Sequence, residues 1–372
     1  MASNKKPIYR EVCDAIRGDI EARRYGPGER LPSDAELAKR FGTSRLTVIR
    51  ALRDLEAEAV VQRKAGSGTF VRAISGAANS GFGILMPDLG EGEVFEPVSH
   101  GIAHAAEAAG KALLWGDLSA AGREKEQHAL ELCRYFISRQ VAGVFFSPVE
   151  LTSSQDAVNQ RIASELHQAG IAIVLVDRCI CPFPERSQYD LVGIDNRRAG
   201  YRMTKHLLAA GCSRLAYAYR PGSAPTVAAR LSGFREALWT AGIPETAQFT
   251  FESADMDEGP LSAFMGSARP DGFVCANDLT AAKLMHSLLR LGVRIPEDVR
   301  MVGINDVKYA RFLPVPLTTL RQPCEQMGFA AMAAMLDRIE KPDMPAREIL
   351  LDCELVVRQS CGAKSANGTA AI

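Results

Sequence analysis

The chain has 372 residues, 47% of them apolar, enough to bury two or three separate cores. Its formal net charge of zero hides an asymmetry: residues 1–72 hold 15 Lys and Arg against 10 Asp and Glu, and the other 300 hold 29 against 34. A basic head on an acidic body suits a head that meets phosphate, and the longest apolar run, Ala169 to Val176, falls far short of the roughly 20 residues that span a bilayer.

Nine cysteines lie scattered from Cys13 to Cys361. Only Cys179 and Cys181 are close, and a C-x-C pair alone has neither zinc-ligand nor redox spacing, so all nine are expected as reduced thiols. At the N-terminus Lys5 and Lys6 are followed by Pro7 and an amphipathic pattern, which does not read as an export signal. The expectation is a soluble, cytoplasmic protein.

Ile8, Val12, Ile16 and Ile20 recur every four positions with charges between them, which predicts an amphipathic helix. Gly26-Pro27-Gly28 stops it. Ser33 and Glu36 have the spacing of a capping box, opening a second helix whose apolar face is Leu37, Ala38 and Phe41. Gly42 breaks that helix, and Ser44 can cap a third with Val48, Ala51, Leu52 and Leu55 facing inward. Two short helices around a tight glycine turn make a helix-turn-helix. Val60–Arg63 and Gly68–Arg72 then predict a hairpin with a basic, glycine-rich tip, Lys64 to Gly68, suited to close approach to a phosphate backbone or minor groove.

Away from its apolar stripe the third helix presents Arg45, Thr47, Arg50 and Arg53. Charge on a helix face is usually solvated surface. Here the cap, the turn and the basic wing agree on DNA binding, with the N-terminal end of this helix in the major groove, Arg45 as a reader of guanine and Lys64 on phosphate. The whole stretch from Pro7 to Val71 resembles the GntR-family winged helix. That resemblance implies DNA contacts at Ser44, Arg45, Thr47 and Gly66. Two positions depart from the family pattern: Ala35 stands where an arginine is common, and Ile49 precedes Arg50 where the arginine comes one residue earlier.

Residues 73–80 are small and polar and read as a flexible linker. Beyond them apolar runs (Gly83–Met86, Gly143–Phe146, Ile171–Val176, Arg214–Tyr219, Gly272–Cys275, Arg300–Ile304) alternate with helical stretches such as His100–Ala109, Arg197–Ala210 and Ala228–Ala241. Continuous apolar strands alternating with helices predict parallel sheets covered on both faces, an α/β body that binds ligands at the carboxyl ends of its strands. Asp88, Asp177-Arg178, Asn277-Asp278 and Asn305-Asp306 follow those strands. Each could simply cap the next helix, but four such groups converging on one crevice would suit a sugar, held by paired amides and carboxylates with an arginine and an aromatic ring.

LVDR (175–178), VGIDNRRAGYRMTKHLLAAGCSRLAY (192–217), TVAARLSGFREAL (226–238), CANDLTA (275–281), VGIND (302–306) and LTTLRQP (317–323) resemble the LacI/GalR-type effector domain. Its fold is the two-lobed periplasmic-binding-protein-like one. The resemblance implies two α/β lobes joined by three crossovers, lobe one at about 81–178 and 308–320, lobe two at about 179–307 and 321–358. It implies ligand contacts at Asp88 and Phe95 in the first lobe, Asp177 at the crossing, and Thr226, Arg230, Asn277 and Asn305 in the second. Asn305 stands where the family commonly has Asp. The tail 362–372 is small and polar and is expected to be disordered.

No H-E-x-x-H, G-x-S-x-G or P-loop lysine motif occurs, so neither an enzyme nor a cofactor or metal is expected. The alternatives are a GntR-type regulator with a pyridoxal-phosphate aminotransferase-like body and a sugar-binding transport protein. The preferred reading is a homodimeric regulator, a repressor, on a palindromic operator of double-stranded DNA. It would pack through the small-residue face around Gly101–Ala109 and be released by a small sugar or sugar derivative.

Overall fold

The computed structural model describes residues 8–21, 24–25, 29–57, 60–64, 68–71, 81–86, 94–115, 125–244 and 249–363. The glycine stop at 26–28, Gly66, the linker 73–80, Asp88 and nearly all of the tail lie outside them. The chain divides into two compact units, residues 1–79 and 80–372.

In the first unit α1 (Ile8–Glu21), α2 (Asp34–Arg40) and α3 (Arg45–Ala57) precede a hairpin of β1 (Val61–Lys64) and β2 (Gly68–Val71). The fourfold spacing of Val12, Ile16 and Ile20 places them on one buried face, against Leu37, Val48, Leu52, Leu55 and Val71. The capping box forms in both directions: Glu36 N–H donates to Ser33 Oγ at 3.3 Å, and Ser33 N–H to Glu36 Oε2 at 2.7 Å. Gly42, at φ +58°, makes the left-handed turn between α2 and α3. The hairpin is antiparallel, Val61 opposite Val71, and Arg30 adds a single bridge to Phe70.

The second unit begins with β3 (Phe82–Leu85), α4 (Phe95–Ala108), β4 (Leu113–Trp115), α5 (Lys125–Ser138), β5 (Gly143–Phe146), α6 (Gln155–Gln168), β6 (Ala172–Val176) and β7 (Asp190–Ile194). There follow α7 (Asn196–Ala209), β8 (Leu215–Tyr219), α8 (Pro225–Thr240), β9 (Phe249–Glu252), α9 (Glu258–Ala268), β10 (Gly272–Cys275), α10 (Asp278–Arg290) and β11 (Arg300–Asn305). It closes with β12 (Thr318–Arg321), α11 (Cys324–Glu340), β13 (Glu348–Leu351) and β14 (Glu354–Val356). Two six-stranded sheets result, in the orders β13-β7-β6-β5-β3-β4 and β14-β12-β11-β10-β8-β9. All pairings are parallel except β12 with β14. Strands β3, β5 and β10 are buried at every position, as sheets covered on both faces require.

The lobe boundaries differ from the sequence expectation. Residues 190–194 belong to the first sheet, because Val176 pairs with Val192, although they were expected in lobe two. Residues 318–320, expected to return to lobe one, pair with β11 in the second sheet, as does Arg321. Helix α11 packs on α4, and β13 pairs with β7, so most of 324–351 serves lobe one. The three crossings therefore fall between Ile194 and Asn196, Arg321 and Cys324, and Leu351 and Glu354. Asp177 is not at a crossing. It follows directly after β6, within lobe one.

Gly101 is not available to a second copy of the chain either. A Cβ there would lie 2.2 Å from the Glu325 carbonyl oxygen, and one at Gly328 would lie 2.3 Å from that of Val98, so α4 and α11 meet backbone to backbone within the chain. The α7–α8 crossing has the same construction. A Cβ at Gly200 would lie 2.0 Å from the Arg230 carbonyl oxygen, and one at Gly233 would lie 1.9 Å from that of Arg197. Overpacking of this kind costs about 1–3 kcal/mol. Gly233→Ala is expected to lower the melting temperature of the body by about 2–10 °C, measured by calorimetry. An unchanged melting point would mean the two helices separate freely.

Candidate functional sites: a basic head and an interlobe crevice

In the head, Ser44 is exposed and its Oγ accepts the Thr47 amide at 3.2 Å, capping α3 and turning its first residues outward. Arg45 lines a groove of about 600 Å³ together with Arg30, Ser33, Asp34, Arg63 and Gly68. Arg63 is held by Asp34 at 2.6 Å, and Arg30 lies against Gly68, where a Cβ would come within 2.7 Å of its guanidinium. Ser44, Arg45 and Thr47 thus share one surface turn. Arg50 is exposed, but its guanidinium stacks 4.3 Å from the centre of the Tyr9 ring, which ties it to α1. Lys64 ends β1, with its side chain outside the described residues, as is all of Gly66. Sequence reasoning passed over Arg30 and over Leu46, a 78% exposed leucine on the first turn of α3, suited to a thymine methyl group.

In the body, β3 sits between β4 and β5, and β8 between β9 and β10, so both sheets reverse direction of winding there. Ligands of parallel sheets bind outside the strand ends at such points. From lobe one come Phe95, Ser147, Glu150, Asp177 and Arg178. The Arg178 guanidinium lies 5.3 Å from the Phe95 ring centre and meets Glu150 at 2.7 Å and Asp177 at 3.1 Å. Burial opposes the charge of Glu150, yet Arg178, the Ala224 amide and Arg230 together hold its carboxyl below the usual range.

From lobe two comes Arg230, only 4% exposed, which donates to Asn196 Oδ1 at 2.8 Å and to the Ala276 carbonyl at 2.7 Å. Thr226, half-buried, lies one turn before it on α8. Asn277 caps α10, its Oδ1 accepting the Thr280 amide at 2.8 Å, so the plainer reading applies to that oxygen. Asn305 Oδ1 accepts from Gln322 Nε2 at 2.8 Å. Among the described residues, Ser147 Oγ and Gln322 Oε1 are buried without a hydrogen-bond partner, a condition that costs about 1–3 kcal/mol each. The structure brings Phe95 and Asp177 together around Arg178, and Arg230 beside Asn196. Asp88 lies outside the described residues.

Two family models match. Residues 8–71 match the bacterial regulatory proteins of the gntR family, and 204–361 match a periplasmic binding protein-like domain. The chain combines a GntR-family regulatory head with a periplasmic-binding-protein-like body. An arabinose metabolism transcriptional repressor of Geobacillus stearothermophilus is 27% identical to this regulator over 376 residues, covering 97% of this chain and 99% of its own. The solved structure of transcription regulator CcpA of Lactococcus lactis is similar in fold, at a TM-score of 0.63 and 22% identity, over 76% of this chain and 99% of that one. A LacI family regulator from Enterococcus faecium, solved with bound ribose, has a TM-score of 0.61 and 23% identity, over 75% and 97%. These matches favour the two-lobed body over the aminotransferase-like alternative.

Glu150, Arg178, Asn196 and Gln322 were not among the regulator's expected contacts. Arg178 had a signal, since it follows Asp177 at a strand end. The other three become neighbours of the crevice only through tertiary folding.

In the head the assignment separates two arginines. Arg45→Ala is expected to cost about 1–3 kcal/mol per half-site on operator DNA and to relax specificity. Arg50→Ala should instead lower the melting point of the head through the lost stacking on Tyr9. Binding assays on operator and random DNA, with melting curves, check both. Equal losses on the two DNAs for Arg45→Ala would refute its assignment.

Beside the crevice, burial pushes Asp278 up to about 6, against the hydrogen bonds from Thr319 and the Val307 amide. Its folded pKa exceeds the unfolded one, so the folded regulator binds the extra proton between about pH 4 and 6, and stability falls as pH rises through that window. Asp278→Asn mimics the neutral acid and is expected to gain roughly 2–3 kcal/mol on the wild type between pH 4 and 6, with a level difference above pH 7. Parallel melting curves from pH 4 to 8 would show it, and identical pH slopes would refute it.

Proposed function

We propose that this regulator is a cytoplasmic transcriptional repressor. It binds a palindromic operator as a homodimer and is released when a small sugar or sugar derivative closes its two lobes. The observation that carries the reading is a buried, polar, two-sided crevice in a body joined to a DNA-binding head. End-to-end similarity to a sugar-metabolism repressor supports it.

Two-fold pairing follows from energetics. One winged helix covers too little duplex for tight specific binding, and two heads on an inverted repeat double the contact. The head reads bases through Ser44, Arg45 and Thr47 and meets phosphate through Lys64 and Gly66. The small molecule is held between Phe95, Asp177 and Asp88 on one side and Thr226, Arg230, Asn277 and Asn305 on the other. Such a ligand shifts DNA binding only through its different affinity for the open and closed bodies. The crevice serves binding, and no reaction is assigned to it.

Footprinting on genomic fragments, with and without pentoses and hexoses, tests the reading. Protection of an inverted repeat that fades with one sugar is the expected result. The Arg230→Ala variant should weaken that sugar at least tenfold, since each hydrogen bond to a charged group contributes roughly 1.5–3 kcal/mol. Unchanged sugar affinity in the variant would sink the proposed pocket.

A further inference from the structure

The residues around the crevice carry a charge balance. Glu150 and Asp177 contribute two carboxylates, Arg178 and Arg230 two guanidinium groups. Arg178, 3% exposed, is taken up by both acids, at 2.7 and 3.1 Å. Glu150 also reaches across to lobe two, where it accepts the Ala224 amide at 3.2 Å. Helix α8 has no side-chain cap of its own, so a carboxylate of the opposite lobe serves its N-terminus. Beside it the Leu151 amide donates to the Gly222 carbonyl at 3.1 Å, a second bridge between the lobes.

Other charges nearby are engaged elsewhere. Asp278 binds Thr319 and the Val307 amide, and Asp306 pairs with Arg321 and Arg358. Arg220 turns to the Ala254 carbonyl, and Lys308 meets Glu96 at 3.6 Å. Among the described residues, then, the crevice offers no excess of positive charge.

We propose that Glu150 selects the class of effector: by balancing Arg178 it makes the crevice fit an uncharged polyhydroxy sugar and refuse sugar acids and sugar phosphates. This deepens the sugar-binding reading above and rests on it. An entering anion would have to strip Glu150 from Arg178 or lie beside two carboxylates. Like charges at contact distance in a partly desolvated site lower affinity by roughly a hundredfold or more. Neutral hydroxyls meet no such barrier, because each can donate to a carboxylate and accept from a guanidinium at once.

Calorimetry and thermal shift on the full chain provide the test, with D-ribose, L-arabinose, D-xylose and D-glucose as uncharged probes and D-ribose 5-phosphate and D-gluconate as anionic ones. The expected result is binding of at least one uncharged sugar, with both anions at least a hundredfold weaker. Glu150→Gln, checked for folding by circular dichroism, should bring an anionic probe at least tenfold closer to its uncharged counterpart. An anion that binds the wild type more tightly than every uncharged probe would overturn the proposal. So would a folded Glu150→Gln variant with the same selectivity, and if that variant does not fold, the wild-type ranking decides alone. No binding by any probe would overturn the sugar-binding reading itself, and the proposal with it.

Discussion

Parallel strands cannot be joined by a tight turn, and each connection needs a crossover long enough to return to the same end of the sheet. In the body of this regulator that requirement is met twice over, with a twist of connectivity. Strand β13 pairs with β7 only after the chain has built all of the second sheet except β14, and β12 joins β11 just before α11 returns to the first. Neither lobe is continuous in sequence. Three short crossings carry the chain between lobes, and two of them bond directly to residues of the crevice. Asn196 follows the first crossing and receives Arg230, while Gln322 lies within the second and donates to Asn305. The crossings and the residues proposed to hold the ligand are therefore joined by direct hydrogen bonds.

Close helix approach is the second constraint. The α7–α8 crossing brings the Gly200 Cα against the backbone of Arg230 itself. The two glycines set the backbone from which that guanidinium extends, and its bonds to Asn196 and the Ala276 carbonyl fix where it ends. Once placed, it is 4% exposed and doubly hydrogen-bonded, so little conformational entropy remains to be lost when a ligand arrives. Arg178 is prepared in the same way, between an aromatic ring and two carboxylates. The crevice is preorganised on both sides by interactions that exist without a ligand.

The head obeys simpler rules. Its core is a single apolar cluster fed by three helices and a hairpin, and its outward face is fixed by caps and turns. The Ser33–Glu36 box sets where α2 starts, Gly42 sets where it stops, and Ser44 sets where α3 begins. With those three points fixed, Ser44, Arg45 and Leu46 are exposed at the start of α3, with Thr47 half-buried beside them.

The sequence by itself determined whatever depends on near neighbours. Helix periodicity over 8–20, the capping box, the glycine turn and the apolar strand runs are all local signals, and each element stands within a few residues of its expected place. Family resemblance extended this to the two-lobed architecture and to Arg230. Only the tertiary structure decided which sheet each late strand joins, because a strand's pairing partner is not written in its own periodicity. It also decided that Gly101 serves an intrachain helix contact and that Arg50 stacks on Tyr9. Glu150 shows the limit most plainly. In sequence it is an acidic residue after a strand. Its cap on α8 and its pair with Arg178 join residues 74 and 28 positions apart; the pair needs lobe one folded, and the cap needs both lobes.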